Sequence, residues 1–366
     1  MELAGIHRAK HYMEWYSENA DNLGHALAET EPFNAYASTW IFTGAGGYHK
    51  ITPGRFGAWA IHRLVAKTTP QDILIGFAAE VRRNTSSYVE LSPVLGVQID
   101  RECQLAENVK LIPKKEVNWW GGLGAPEHMC FLCQSFEVRP AFEVHAFDSV
   151  SPRGEGIAKP DSKSRDVVRH RVRLACLLAS AGAVELPISH FQADEDSLFI
   201  RESEAEVIRP MSPHPRVSFP ADEALVKTAF AHLADFEHRD SLARAIDRLG
   251  RARLASSPVD KALELGIAAE IALMHGETSS NTEIAHKIGG RAAWLLGRDS
   301  AERTNIFAEI KLLYQARSQA VHSGVLSAKS KVNLETGDKL VARTLIAILL
   351  RGHFPNWPSL VMGGGG

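Results

Sequence analysis

IFAEIKLLYQARSQAVHSG, residues 306–324, is the stretch on which the reading of this chain turns. As a helix it places Ile306, Ile310, Leu313, Arg317 and Val321 on one stripe, because offsets of three and four residues superimpose at about 100° per residue. Arg317 falls in the middle of that apolar stripe. A guanidinium carries five donors and cannot shed its charge, so such a position requires a fixed anion. His322, Ser323 and Gly324 then read as a helix end, which sets the imidazole at the negative end of the helix dipole. An always-charged arginine and a titratable histidine therefore share one helix end.

The anion is found by the same reasoning one helix earlier. From Pro258 onward, Leu263, Ile267, Glu270 and Met274 form a stripe in which Glu270 is the misplaced charge. A bridge from Glu270 to Arg317 satisfies both groups. On spacing alone that bridge ties two helices together and gives His322 no duty. Arg-x4-His also recurs at Arg165 with His170 and at Arg209 with His214, and the prolines inside the latter forbid a helix.

Around this pair the sequence predicts helices at 222–237, 240–254, 258–275, 281–296, 300–322 and 338–351. Ser257 before Pro258 marks an N-cap with proline in the first turn, and Ser280-Asn-Thr-Glu283 reads as a capping box. Short connections make these helices a bundle. Upstream, Arg209 to Pro220 carries four prolines in twelve residues, and strand-like segments stop there, so it reads as a linker.

The first 209 residues read differently. Residues 7–28 are helix-compatible, and Thr43 to Gly57 is a glycine-rich loop that fits no phosphate-binding fingerprint. Strands are expected at Ile73–Val81, Tyr88–Ile99, Ser135–Val150, Val184–Phe191, Leu198–Ile200 and Ala205–Ile208, with Pro140 at an edge or bulge. Trp119-Trp120 offers either a core cap or a surface for stacking on bases. His128, Cys130 and Cys133 have the spacing of half a zinc site; the other half is missing locally, and buried thiols are the competing reading. Residues 159–181 begin basic and end apolar, so Arg165, Arg169, His170 and Arg173 form either a nucleic-acid patch or a solvated face.

The chain has 366 residues, is 45% hydrophobic and has a net charge of −2. That suffices for two domains with their own cores and gives no global attraction to nucleic acid. Four cysteines, Cys103, Cys130, Cys133 and Cys176, are too few for a disulfide framework and suit a reducing cytoplasm. Neither a signal peptide nor a membrane span is expected, and no metal or other cofactor.

The string LYQARSQAVHSG resembles the signature of HEPN domains, most closely the Apea-like branch. Asp260 to Glu270, Glu283-Ile-Ala-His-Lys-Ile and Arg291-Ala-Ala-Trp-Leu-Leu-Gly297 extend the resemblance over roughly the last 150 residues. It implies a helical bundle whose Arg317 and His322 act in metal-independent RNA cleavage, in a composite site at a homodimer interface. Ser318, where the family commonly has Asn or Asp, is positioned to orient either group; Glu270 and Tyr314 support them. Some family members keep the bundle for dimerisation or binding without cleaving anything. The resulting expectation is an α+β chain: a mixed domain at 1–209 as sensor or substrate binder, a linker at 210–220, a HEPN-like bundle at 221–356 and a tail at 357–366. The function implied is an endoribonuclease, an anti-phage or toxin effector acting on RNA. The rival is a non-catalytic dimerisation module with a ligand- or nucleic-acid-binding N-terminal domain.

Overall fold

A computed structural model describes residues 16, 18–42, 48–65, 69–83, 86–117, 129–138, 141–143, 162–193, 198, 203–207, 215, 217–277 and 283–364. The chain is α+β, with its strands in the N-terminal half and helices filling the C-terminal part. It forms two compact units, and neither is continuous in sequence. The first takes 1–91, 134–165 and 190–206; the second takes 92–133, 166–189 and 207–366. A six-stranded sheet has the order β10-β9-β3-β7-β6-β5. Its strands are β3 (Ser86–Val94), β5 (Cys103–Ala106), β6 (Val109–Pro113), β7 (Cys130–Val138), β9 (Ile188–Ala193) and β10 (Ser203–Val207).

In the first unit, helix α1 (18–28) is followed by α2 (Pro53–Val65) and α3 (Pro70–Arg83). Beside them lies a small antiparallel sheet of β1 (Trp40–Phe42), β2 (Tyr48–Lys50) and β8 (Ala141–Glu143), with Trp40 opposite both Lys50 and Glu143. Its core is aromatic: Phe33, Phe56, Trp59 and Phe77 pack with Ile51, Ile73 and Leu198, and the Phe33 and Phe77 rings lie 4.0 Å apart. Two expectations fail here. The strand expected at Ile73–Val81 is the middle of α3, which buries Ile73 and Phe77 four residues apart on one face. Thr69 caps that helix: its backbone N–H and hydroxyl meet the Asp72 carboxylate while the Asp72 N–H returns to the Thr69 hydroxyl. Of the expected glycine-rich loop, residues 43–47 lie outside the described residues, Tyr48–Lys50 is strand β2, and Gly54 and Gly57 belong to α2. A Cβ at Gly24 would strike the Pro53 carbonyl and one at Gly57 the Ala20 carbonyl, so these glycines let α1 and α2 approach backbone to backbone.

In the second unit one hydrophobic core joins Val94, Leu111, Cys130 and Leu132 of the strands to Val172–Ala179 and to every long helix that follows. Those helices are α4 (Ser162–Ala179), α5 (Glu223–Asp235), α6 (Arg239–Leu254), α7 (Pro258–Leu273), α8 (Ile284–Leu296), α9 (Ser300–Ser323) and α11 (Leu334–Arg351), with short helices α10 (Ala328–Val332) and α12 (Trp357–Val361). β4 (Val97–Gln98) pairs with β11 (Phe219–Pro220). Helix α6 packs on α7, α7 on α9 and α8 on α9, and α11 touches all of them.

The helix starts follow from caps. Asp222, Ser257 and Asp299 accept backbone N–H groups, Pro258 occupies the first turn of α7, and Gly324 and Gly352 end α9 and α11 with φ of 65° and 79°. Ser280 of the expected capping box lies outside the described residues; α8 begins at Ile284, and Glu283 stands at its cap in the left-handed region, φ 63°. Residues 92–133 and 166–189 belong to the same compact unit as the chain from Val207 onward. Arg173 binds Asp247, Glu185 and the Val184 carbonyl, and Arg253 binds Asp338 and the carbonyls of Leu177, Ser180 and Gly182. Helix α4 beyond Arg165 is thereby fastened to the helices beyond Pro220. Among the described residues no helix is long and apolar enough to cross a membrane.

Candidate functional site

The centre of the candidate site lies where α7 meets α9. Arg317 Nη2 stands 3.3 Å from Glu270 Oε1, each side chain about a quarter exposed, at 27% and 26%. The pair anticipated from two misplaced charges therefore forms, at the margin of the core. The buried stripe of α9 is Ile306, Ile310, Leu313, Ala316 and Ala320; Arg317 flanks it, and Val321 is 51% exposed. The buried stripe of α7 is likewise rotated from the expected one, running through Ala262, Leu265, Gly266, Ala269 and Leu273. The alanines that make both contacts are small and pull the true stripe away from the larger side chains.

Gly266 is the residue that seats the arginine. A Cβ there would collide with Arg317 Cγ and lie 2.7 Å from Arg317 Cβ, so the stem of Arg317 lies directly over bare backbone of α7. Sequence reading passed over this glycine; its signal is an interior helix glycine, which costs about 1 kcal/mol relative to alanine and so usually marks a close contact. One turn on, Glu270 meets the guanidinium. The guanidinium carbon stands 5.6 Å from the Tyr314 ring centre. Burial, then the hydrogen bond and charge of Glu270, push the Tyr314 phenol up to about 12, against a smaller opposing pull from Arg317. Arg317 Nε and Glu270 Oε1 are buried without a hydrogen-bond partner among the described residues. The arginine is thus held in place with donors uncommitted.

His322 is exposed in the last turn of α9, next to the Gly324 cap, and Ser318 is half-buried beside Arg317. An offset of five residues turns about 140° round a helix and rises about 7.5 Å, so Arg317 and His322 of one chain point apart. They share a helix end without facing one point in space.

The expected basic patch on α4 is not a surface. Arg165, Arg169 and Arg173 are 5%, 4% and 6% exposed. Arg165 lies 3.5 Å from Glu90 and over the Phe191 ring; Arg169 pairs with Asp166 and reaches Ser189; Arg173 is held by Glu185 and Asp247. Only His170 keeps a substantially exposed side chain, 4.0 Å from Asp247. The arginines look like a patch in sequence because the carboxylates that pair with Arg165 and Arg173 come from residues far along the chain.

All four cysteines are buried free thiols. Cys130 and Cys133 lie on β7, where an offset of three puts side chains on opposite faces, so their spacing does not converge on one ion. Burial raises the thiols of Cys130 and Cys103 and pushes that of Cys176 up to about 12. No group of three or more His, Cys, Asp or Glu residues suited to a metal occurs among the described residues. His128 and Trp119-Trp120 lie outside the described residues.

No family model, curated protein or solved structure matches this chain.

Proposed function

We propose that the chain is a metal-independent endoribonuclease of HEPN type, acting in the cytoplasm as a homodimer and serving as an anti-phage or toxin effector. The observation that carries this reading is the seated Arg317, held by Gly266 and Glu270 with donors to spare, on the same helix end as an exposed His322. In this scheme His322 takes the proton of a ribose 2′-hydroxyl as that oxygen attacks the adjacent phosphorus. Arg317 holds the non-bridging oxygens and stabilises their developing charge. The 5′-oxygen leaves with a proton supplied by a second acid, and the products are a 2′,3′-cyclic phosphate and a 5′-hydroxyl. Because the two side chains of one helix diverge, a second copy of the chain supplies the complementary pair, and Ser318 and Tyr314 orient the groups. The test is cleavage of total RNA by purified protein in excess EDTA. Loss of cleavage in His322→Ala supports the reading, and wild-type cleavage by a folded His322→Ala protein ends it.

A second reading has its own support. The Arg317–Glu270 contact joins α7 to α9 as an architectural bridge would, and the bundle then acts as a non-catalytic dimerisation or binding module. No RNA cleavage by any preparation, with an intact dimer, favours it.

A further inference from the structure

We propose that a cavity at one end of the helical bundle binds an uncharged, flat nitrogen heterocycle of nucleobase or nucleoside size. The cavity measures about 520 Å³ and is lined by neither Arg317 nor His322. It is built from the α5–α6 turn, the end of α7, helix α8 and the segment from His353 into α12. Such a volume suits a small organic molecule.

Its walls are flat rings. The His275 ring stacks on Phe354 with centres 3.8 Å apart and planes at 17°, the His238 ring lies 4.7 Å from His275, and Trp357 closes another side. Planar π surfaces of this kind accept a planar ligand by stacking. The edges carry both signs of hydrogen bond. His353 Nδ1 lies 2.9 Å from the Phe354 carbonyl, which can only accept; Nδ1 therefore carries the hydrogen, and Nε2 of the neutral ring is left as an acceptor. Asn356 spends its Oδ1 on the Ser359 N–H, which leaves the amide N–H₂ as a donor. Trp357 is 3% exposed, and its indole N–H has no partner among the described residues.

The charges exclude a phosphate. Arg291 lines the cavity, but its guanidinium is spent on the Leu273 carbonyl and on Glu277, which Lys287 also faces at 3.7 Å. Glu237 and Glu277 both line the cavity against that one arginine. Burial, then His238 and Arg244, hold the His275 imidazole below its ordinary range against the opposite pull of Glu237. What remains is a ring-lined cavity with mixed donors and acceptors whose one lining arginine is already committed, which fits a base or nucleoside better than its phosphorylated form.

The experiment is calorimetric titration of the intact chain at pH 7.5 with adenosine, guanosine, cytidine and uridine, alongside their 5′-monophosphates and tetramethylammonium chloride. At least one nucleoside saturates at one per chain, and its monophosphate binds at least about tenfold more weakly. His238→Ala, a change at a half-exposed side chain, weakens the nucleoside with an unchanged melting temperature. The proposal is overturned if no nucleoside saturates, if the monophosphate binds as well as the nucleoside, if only tetramethylammonium binds, or if His238→Ala leaves affinity untouched.

Discussion

Replacing Gly266 by alanine isolates the contact on which the arginine depends. The new Cβ meets Arg317 Cγ, which can swing aside, and Arg317 Cβ at 2.7 Å, which is fixed to the backbone of α9 and cannot. Either α9 moves away from α7 or the alanine is strained. Alanine improves helix propensity by about 1 kcal/mol, whereas overpacking a tight contact costs about 1–3 kcal/mol. Disturbing an ion pair that is a quarter exposed adds about 0–1 kcal/mol. The expected net effect is a loss of about 1–2 kcal/mol, read as a lower urea midpoint, together with loss of RNA cleavage in EDTA. In a double-mutant cycle with Arg317→Ala, which removes Cγ and beyond, part of the clash is relieved and a coupling of about 0.5–3 kcal/mol appears. A Gly266→Ala protein at least as stable as wild type, with effects that simply add to those of Arg317→Ala, refutes the seating of Arg317 on Gly266.

His322→Ala, at an exposed helix end, abolishes RNA cleavage while stability stays within about 0.5 kcal/mol, measured by thermal melting beside an RNA-end assay. Glu270→Ala leaves Arg317 without its anion at a position 27% exposed; it lowers stability by about 1–2 kcal/mol, below the 3–5 kcal/mol of a fully buried pair, and lowers activity with it. Arg165→Ala takes the arginine from Glu90, which is 0% exposed and keeps the Gln134 amide; it costs about 1–3 kcal/mol in a urea melt, with no change in the RNA affinity of the folded protein. The raised phenol of Tyr314 contributes stability that is fully present below the ordinary tyrosine range and is lost as pH rises through about 12. Its absorbance therefore titrates late, and Tyr314→Phe removes that late step.

Much of the C-terminal bundle was legible because its helices carry explicit ends: Ser257-Pro258 and Gly324 are local signals that need no tertiary partner. The pairing of Glu270 with Arg317 was legible because each charge interrupts an apolar pattern. The faces were read about one position off, since Ala262, Ala269, Ala316 and Ala320 carry the close contacts and alanine contributes little to a hydrophobic stripe. Helix α3 was read as a strand because Ile73 and Val81 favour sheets, although Thr69-Pro70-Gln71-Asp72 announced a helix start. The arginines of α4 were misjudged for a different reason. Burial of a charge depends on its partner, and Glu90, Glu185 and Asp247 are brought to it by folding.

The second unit draws its core from three separate lengths of chain, and this bears on how the protein is made. Val94, Leu111 and Leu132 share a core with residues of α11, which begins at Leu334. Roughly 200 residues of translation separate the end of the strand segment from that helix, about 10–40 s at 5–20 residues per second. During that interval the strands and the second half of α4 have no permanent cover, and the nascent chain must be shielded by chaperones or by transient contacts. A fragment beginning at Ala221 lacks those early residues for good and should be recovered in aggregates. The Arg317 site likewise waits on a later helix: Gly266 and Glu270 are made about 50 residues before the arginine that they seat.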